Sequence, residues 1–194
     1  MIGNKITYSK IDPDAKAQQI KNAINLLEHA HILLKVKSTS GSGLPLAAGA
    51  SEKRYKLVFL DVGLMQRLMN TRYRDWMENK NIFSSHSGAV AEQYVGQELI
   101  ALERYNKKPS LFYWDRAKRG SIAEIDYLTE LTGKIVPIEV KSSAFGHLKS
   151  LIFFLNKYSS ITFGVKLSEQ NFVIKNNIRS IPLYSTQQLI KIME

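Results

Sequence analysis

Ile20, Ile24, Leu27, His31 and Leu34 recur at spacings of four, three, four and three. This single stripe at the helical period predicts an amphipathic helix. Asp12-Pro13-Asp14 ahead of it supplies an Asp cap and an early Pro, both suited to a helix start. The period then breaks. Val36 leads into residues 38–50, where Ser40-Gly41-Ser42-Gly43 has turn or loop composition, and residues 55–60 read as a strand. A helix, a strand, a loose loop and a second strand is the order at the end of a winged helix. A helical hairpin with one strand leaves the same pattern, so residues 1–60 alone admit both.

Asp61 is placed to cap a helix through Leu64, Met65 and Leu68. Residues 70–87 mix aromatic and charged positions without a clean period and read as a connector. From Gly88, Ala91, Val95, Leu99 and Leu102 form an inward helical face that ends near Lys107-Lys108-Pro109. Strands follow over 111–114, 122–131 and 134–141, then an apolar helix over about 145–158 and a strand over 161–166. A last strand at 181–184 and a helix at 187–193 close the chain. From Gly88 to Lys166 the order is αβββαβ, which implies an α/β (α+β) fold with a mixed central sheet flanked by helices. A partial winged-helix segment at 1–60 and a second domain at 61–194 are the expected units.

The hairpin carries the chemistry. A two-residue turn at Thr132-Gly133 pairs Leu131 with Lys134, which sets Asp126 opposite Glu139 and Glu124 opposite Lys141. These four then share one face, while Ile125, Tyr127, Val136, Ile138 and Val140 form an apolar set on the other. Carboxylates directly opposed across a ladder lie about 5 Å apart at Cβ and repel without a neutraliser. A hard divalent ion, Mg²⁺ or Mn²⁺, is such a neutraliser, since it takes carboxylate oxygens and leaves positions for water and phosphate. Lys141, two residues beyond Glu139, could then hold a metal-bound water or offset charge developing on a scissile phosphate. The spacing also permits a plain Glu124–Lys141 surface ion pair, with Asp126 and Glu139 turned to water.

Charge adds a partner class. The chain has 194 residues, 44% of them hydrophobic, with 27 Lys+Arg against 17 Asp+Glu for a net +10. The first 60 residues hold half of that excess, so they are about twice as cationic per residue as the remainder. Such a surface favours DNA or another polyanion, and a solvated basic face kept for solubility accounts for it equally well. Arg116, Lys118 and Arg119 sit in the loop entering the metal strand, where they could hold a phosphate backbone without reading sequence or simply be solvated. Zero Cys excludes disulfides and thiolate zinc sites. The longest apolar run, 151–155, is far below the roughly 18 residues of a membrane span, and no signal peptide is visible; a cytoplasmic location is expected. His29, His31, His86 and His147 lack paired metal spacing. Lys149 and Lys157 read as surface solubilisers, and Trp76 and Trp114 as packing residues rather than base-stacking platforms.

The segment Ala123-Glu124-Ile125-Asp126-Tyr127-Leu128, followed by Gly133-Lys134-Ile135-Val136-Pro137-Ile138-Glu139-Val140-Lys141-Ser142-Ser143, resembles the active-site hairpin of the PD-(D/E)XK nuclease superfamily. The αβββαβ order is similar to that superfamily's restriction-endonuclease-like core. Lys56-Leu57-Val58-Phe59-Leu60-Asp61-Val62-Gly63-Leu64 and Gly88-Ala89-Val90-Ala91-Glu92, taken with the hairpin, resemble the C-terminal half of a family of prokaryotic AAA-type ATPases. That half is a nuclease-like domain of unknown function following a winged helix. The resemblance implies metal binding by Asp126 and Glu139, a catalytic role for Lys141, and a supporting acid at Glu92. It also implies an N-terminal ATPase module as partner, either served by a DNA-cleaving domain or bound to a non-catalytic regulatory one. No Gly-x4-Gly-Lys-Ser/Thr loop is present, since Gly41-Ser42-Gly43 lacks the Lys. ATP hydrolysis by that mechanism is therefore not expected of this chain, which reads as a C-terminal piece of a longer protein.

Overall fold

The computed structural model describes residues 5–70, 87–103, 109–116, 123–143 and 146–193. Among them, eight strands form one mixed sheet in the order β2-β1-β3-β4-β5-β6-β8-β7, accompanied by six α-helices. The chain begins with α1 (Tyr8–Ile11), α2 (Ala17–His29), β1 (Leu33–Thr39), β2 (Ala50–Phe59) and α3 (Val62–Leu68). Then come α4 (Ser87–Ala101), β3 (Leu111–Asp115), β4 (Glu124–Leu131), β5 (Lys134–Val140), α5 (Lys149–Lys157) and β6 (Gly164–Ser168). The hairpin β7 (Val173–Lys175) and β8 (Ile178–Pro182) precedes the 3₁₀ turn Leu183–Gln188 and α6 (Leu189–Met193). The αβββαβ order of the sequence is thus present from α4 to β6. The mixed character lies in its pairings: β1–β3, β5–β6 and β6–β8 are parallel, and the other neighbours are antiparallel.

Two apolar layers sandwich the sheet. On one face Ala91, Val95 and Leu99 of α4 meet Val36, Val58, Tyr113, Tyr127, Val136, Ile138, Val165 and Leu167. On the other, Leu151, Phe154 and Leu155 of α5 meet Phe112, Trp114, Ile125 and Leu128. A smaller cluster packs Ile20 and Ile24 of α2 on Tyr55. Successive side chains of a strand face opposite ways, so Tyr55 and Leu57 turn towards α2 while Lys56 and Val58 turn towards α4.

Several boundaries differ from the sequence pattern. The helical stripe through His31 and Leu34 stops at His29; His31 takes φ +57° in a turn and Leu34 lies in β1. Strand pairing on both sides of β1, to β2 and β3, overrides the helical spacing. Asp12 does not cap α2, and its carboxylate accepts the Asp14 and Ala15 N–H groups in the approach turn. Asp61 caps α3 as expected, accepting the Leu64 N–H at 3.0 Å. The expected strand at 181–184 runs from Ile178, and Leu183 onward is 3₁₀. The helix expected from Phe145 starts at Lys149, and residues 70–87 are described only at their two ends. The β7–β8 hairpin was not evident from the pattern; Asn176, at φ +54°, turns it, a conformation Asn tolerates better than most residues. Finally, the β1–β3 pairing makes residues 33–59 part of the same sheet as the strands that follow.

A candidate acidic site on the central hairpin

The β4–β5 register is the one set by the Thr132-Gly133 turn: Leu131 pairs with Lys134, Leu128 with Pro137 and Tyr127 with Ile138. A two-residue hairpin alternates hydrogen-bonded and open pairs from its closing pair, so Pro137 falls at an open pair. Its missing N–H then points towards β6, where the ladder begins only at Ile138. This explains how a Pro is tolerated inside a central strand.

The ladder ends at Tyr127–Ile138, one pair short of the two carboxylates. On the other side of β4 the register shifts: Phe112 pairs with Leu128, but Trp114 pairs with Ile125. Asp126 and Tyr127 therefore oppose Tyr113 alone, which is a β-bulge. The bulge corrects the expected faces. Ile125 packs with Trp114 and Leu128 in the α5 layer, whereas Tyr127 lies in the α4 layer. It also frees the Asp126 side chain to accept the Val140 N–H at 2.8 Å, a donor that a continued ladder would have given to a backbone carbonyl.

Around that bulge, four carboxylates gather with the ammonium groups of Lys141, Lys56 and Lys5. Lys141 Nζ donates to Glu139 Oε1 at 2.6 Å, and Glu139 Oε2 is buried without a hydrogen-bond partner. Glu92, from α4, accepts from Lys56 Nζ at 2.8 Å, and Glu124 lies 2.5 Å from the same nitrogen. The Glu92 turn is fixed through its backbone, whose carbonyl accepts the buried Tyr127 hydroxyl at 2.8 Å. Gly96, one turn further along α4, allows this approach, because a Cβ there would lie 2.5 Å from that hydroxyl. Gly146 does the same for Lys141: a Cβ would meet Lys141 Cδ at 2.8 Å. Glu124 is not free to pair with Lys141; it shares Lys56 and, at 3.2 Å, Lys5.

Electrostatics follow from this crowding. Burial, with the Asp126 charge added, pushes the Glu139 carboxyl up to about 7 against the pull of Lys141. Burial likewise pushes Glu92 up to about 7, opposed by Lys56 and reinforced by Asp126. Asp126 is raised by burial in spite of Lys56 and the Val140 N–H. Lys56 stays firmly charged: burial works against it, but Glu92, Asp126 and Glu124 outweigh that cost. Lys166, beside Glu139 in the β5–β6 register, is lowered by burial and by Lys141. Asp115 would be raised by burial, yet hydrogen bonds from Lys5 and Ser38 and the charge of Arg54 hold it below the usual carboxylate range.

The cluster thus unites Asp126, Glu139, Lys141 and Glu92. Among the described residues no group of three or more His, Asp or Glu side chains is arranged as a metal cage. Asp126 and Glu139 offer two carboxylates, and the unpaired Glu139 Oε2 is a buried acceptor lacking a cation or donor. That donor set fits Mg²⁺ or Mn²⁺, which bind through one or two carboxylates and retain waters. Arg116 stacks its guanidinium 4.9 Å from the Phe153 ring centre; Lys118 and Arg119 lie outside the described residues, as do His86 and Trp76. His29, His31 and His147 are exposed and scattered. Trp114 is buried between Phe153, Phe154 and Tyr158, with Lys157 over its ring at 5.1 Å. Lys56 was missed by the pattern reading, although a charged residue inside the apolar strand Tyr55-Lys56-Leu57-Val58-Phe59, on the Val58 face, was a visible signal.

Comparison with known families finds two matches. The model of a domain of unknown function, DUF4143, matches residues 87–193. That of a second domain of unknown function, DUF8612, matches residues 1–75. No curated protein and no solved structure matches the chain.

Proposed function

We propose that this chain, which belongs to the DUF4143 family, carries a divalent-metal-dependent phosphodiesterase site of the PD-(D/E)XK type that acts on DNA. The observation that carries the reading is Glu139: one carboxylate oxygen is tied to Lys141, the other is buried and unpaired, and the carboxyl as a whole feels the charge of Asp126. Asp126 and Glu139 would hold Mg²⁺ or Mn²⁺, which supplies Lewis-acid polarisation of the phosphoryl group and a more acidic water. The Lys141 ammonium then lies where charge develops on the scissile phosphate. Glu92, kept near neutral pH in its protonation equilibrium, is poised to exchange a proton with an attacking or departing oxygen. The αβββαβ order supports a restriction-endonuclease-like core, and the net charge of +10 supports a polyanionic substrate. The motif resemblance supports a companion AAA-type ATPase module, and with no Gly-x4-Gly-Lys-Ser/Thr loop here, ATP hydrolysis by that mechanism would fall to that module.

One observation favours a second reading, a non-catalytic DNA-binding or regulatory module. The Lys56 ammonium already neutralises Glu92 and Glu124 within the cluster. Plasmid nicking separates the two. The enzyme reading expects Mg²⁺- or Mn²⁺-dependent nicking that Glu139→Ala or Lys141→Ala lowers by at least about 100-fold, in line with the loss of a positioned acid–base or electrostatic group. Salt-sensitive DNA binding with no nicking in either metal would leave the second reading in its place.

A further inference from the structure

The Lys56 side chain is only 3% exposed, so the protein has buried a full positive charge at the end of a long flexible stem. Buried ammonium groups are retained only where they are paired. Here Nζ lies 2.8 Å from Glu92 Oε1 and 2.5 Å from Glu124 Oε1, and 5.2 Å from the centre of the Tyr113 ring. Two carboxylates and an aromatic face enclose it, the surroundings a cation requires. The two acids come from α4 and β4, and the lysine comes from β2, so three elements fix the position. Sites with two divalent ions place them about 3.5–4 Å apart, and the Lys56 charge is near enough to act on Asp126 and Glu139 as well. Glu92 and Glu124 are the acids left after Asp126 and Glu139, and an ammonium bridges them.

We propose that Lys56 is a built-in cation that occupies the second ion position of the acidic cluster, so that the cluster takes one divalent ion fewer than its four carboxylates could hold. With the metal role of Asp126 and Glu139 proposed above, this makes the site a single-ion one. Positive charge opposite the ion then comes from Lys56 and Lys141. It also makes a residue from the N-terminal segment a positioning residue of a site otherwise built by the later strands. Glu124 becomes a partner of Lys56 rather than a metal ligand.

Counting bound Mn²⁺ on the full chain, by the electron paramagnetic resonance signal of the free ion during titration, tests this directly. Lys56→Met should bind one more Mn²⁺ per chain than the unaltered protein, and Lys56→Arg, which keeps the charge, should bind the same number. Equal counts for the unaltered protein and a folded Lys56→Met would overturn the proposal. If the unaltered protein binds none and Lys56→Met binds one, the built-in cation stands while the phosphodiesterase reading fails. Should Lys56→Met not fold, Glu124→Gln decides. Mn²⁺ affinity within about threefold of the unaltered protein keeps Glu124 on Lys56, and a loss of tenfold or more places it on the metal and overturns the inference.

Discussion

Glu92 and Glu139 ordinarily titrate near 4.5, and both are pushed up to about 7 in the folded chain. Between those values the folded state binds more protons than the unfolded state, so stability falls as pH rises through that window. The contribution is fully present below about 4.5 and lost above about 7. Asp126 is also raised and acts in the same direction, whereas Asp115, held low, acts only at more acid pH. Chelator-treated protein should therefore melt lower at pH 8 than at pH 5, with Glu139→Gln removing part of that slope. At about 2–4 °C per kcal/mol for a chain of this size, the flattening should be several degrees in a thermal melt. An unchanged slope in Glu139→Gln would show that Glu139 does not carry the shift. The residue types and their spacing were legible in the sequence, and so was the hairpin register as far as Tyr127–Ile138, one pair short of the carboxylates. The protonation behaviour was not, because it depends on burial and on Lys56, which reaches the cluster from β2.

At the scale of elements, α4 and β4 meet through Gly96, where a Cβ would lie 2.5 Å from Tyr127 Oη and 3.1 Å from Val58 Cγ1. In an exposed helix, Gly→Ala stabilises by about 1 kcal/mol. Here the methyl group overpacks a filled interface, which typically costs about 1–3 kcal/mol, and it displaces the hydroxyl that holds the Glu92 carbonyl. Gly96→Ala should thus lower the melting temperature by several degrees, and a rise would mean that α4 can retreat without cost. The same helix also closes the outer part of the sheet. Gln93 is buried, accepting the Phe59 N–H at 2.9 Å and donating to the Phe59 carbonyl at 2.8 Å, while Gln97 accepts the Val62 N–H at 2.9 Å. The inward stripe Ala91, Val95 and Leu99 announced the apolar part of α4. Its Gln clasp on the β2 backbone was not readable, since Gln93 interrupts the apolar pattern and its partner is 34 residues away. Nor was the bulge readable on β4, because it arises only when Trp114 pairs with Ile125.

Across the whole molecule, β1 lies between β2 and β3, so residues 33–59 supply two strands of the sheet on which the acidic site is built. Removing them would expose the β3 edge and uncover part of the α4 layer, where Val36 and Val58 are buried. It would also take away Lys56. A fragment spanning 61–194 should then lose its cooperative melt and bind a hydrophobic dye, and a sharp transition like that of the full chain would show the later region folding alone. Hydrophobic period, turn chemistry and charge spacing are local properties. By themselves they determined the αβββαβ order, the hairpin register as far as Tyr127–Ile138, and the presence of Asp126, Glu139 and Lys141 near one end of that hairpin. Which strands join across long sequence separations, where the β4 ladder breaks, and which charges are forced together out of water depend on packing between distant segments. Only the tertiary structure decided those, and with them the placement of Lys56 between Glu92 and Glu124.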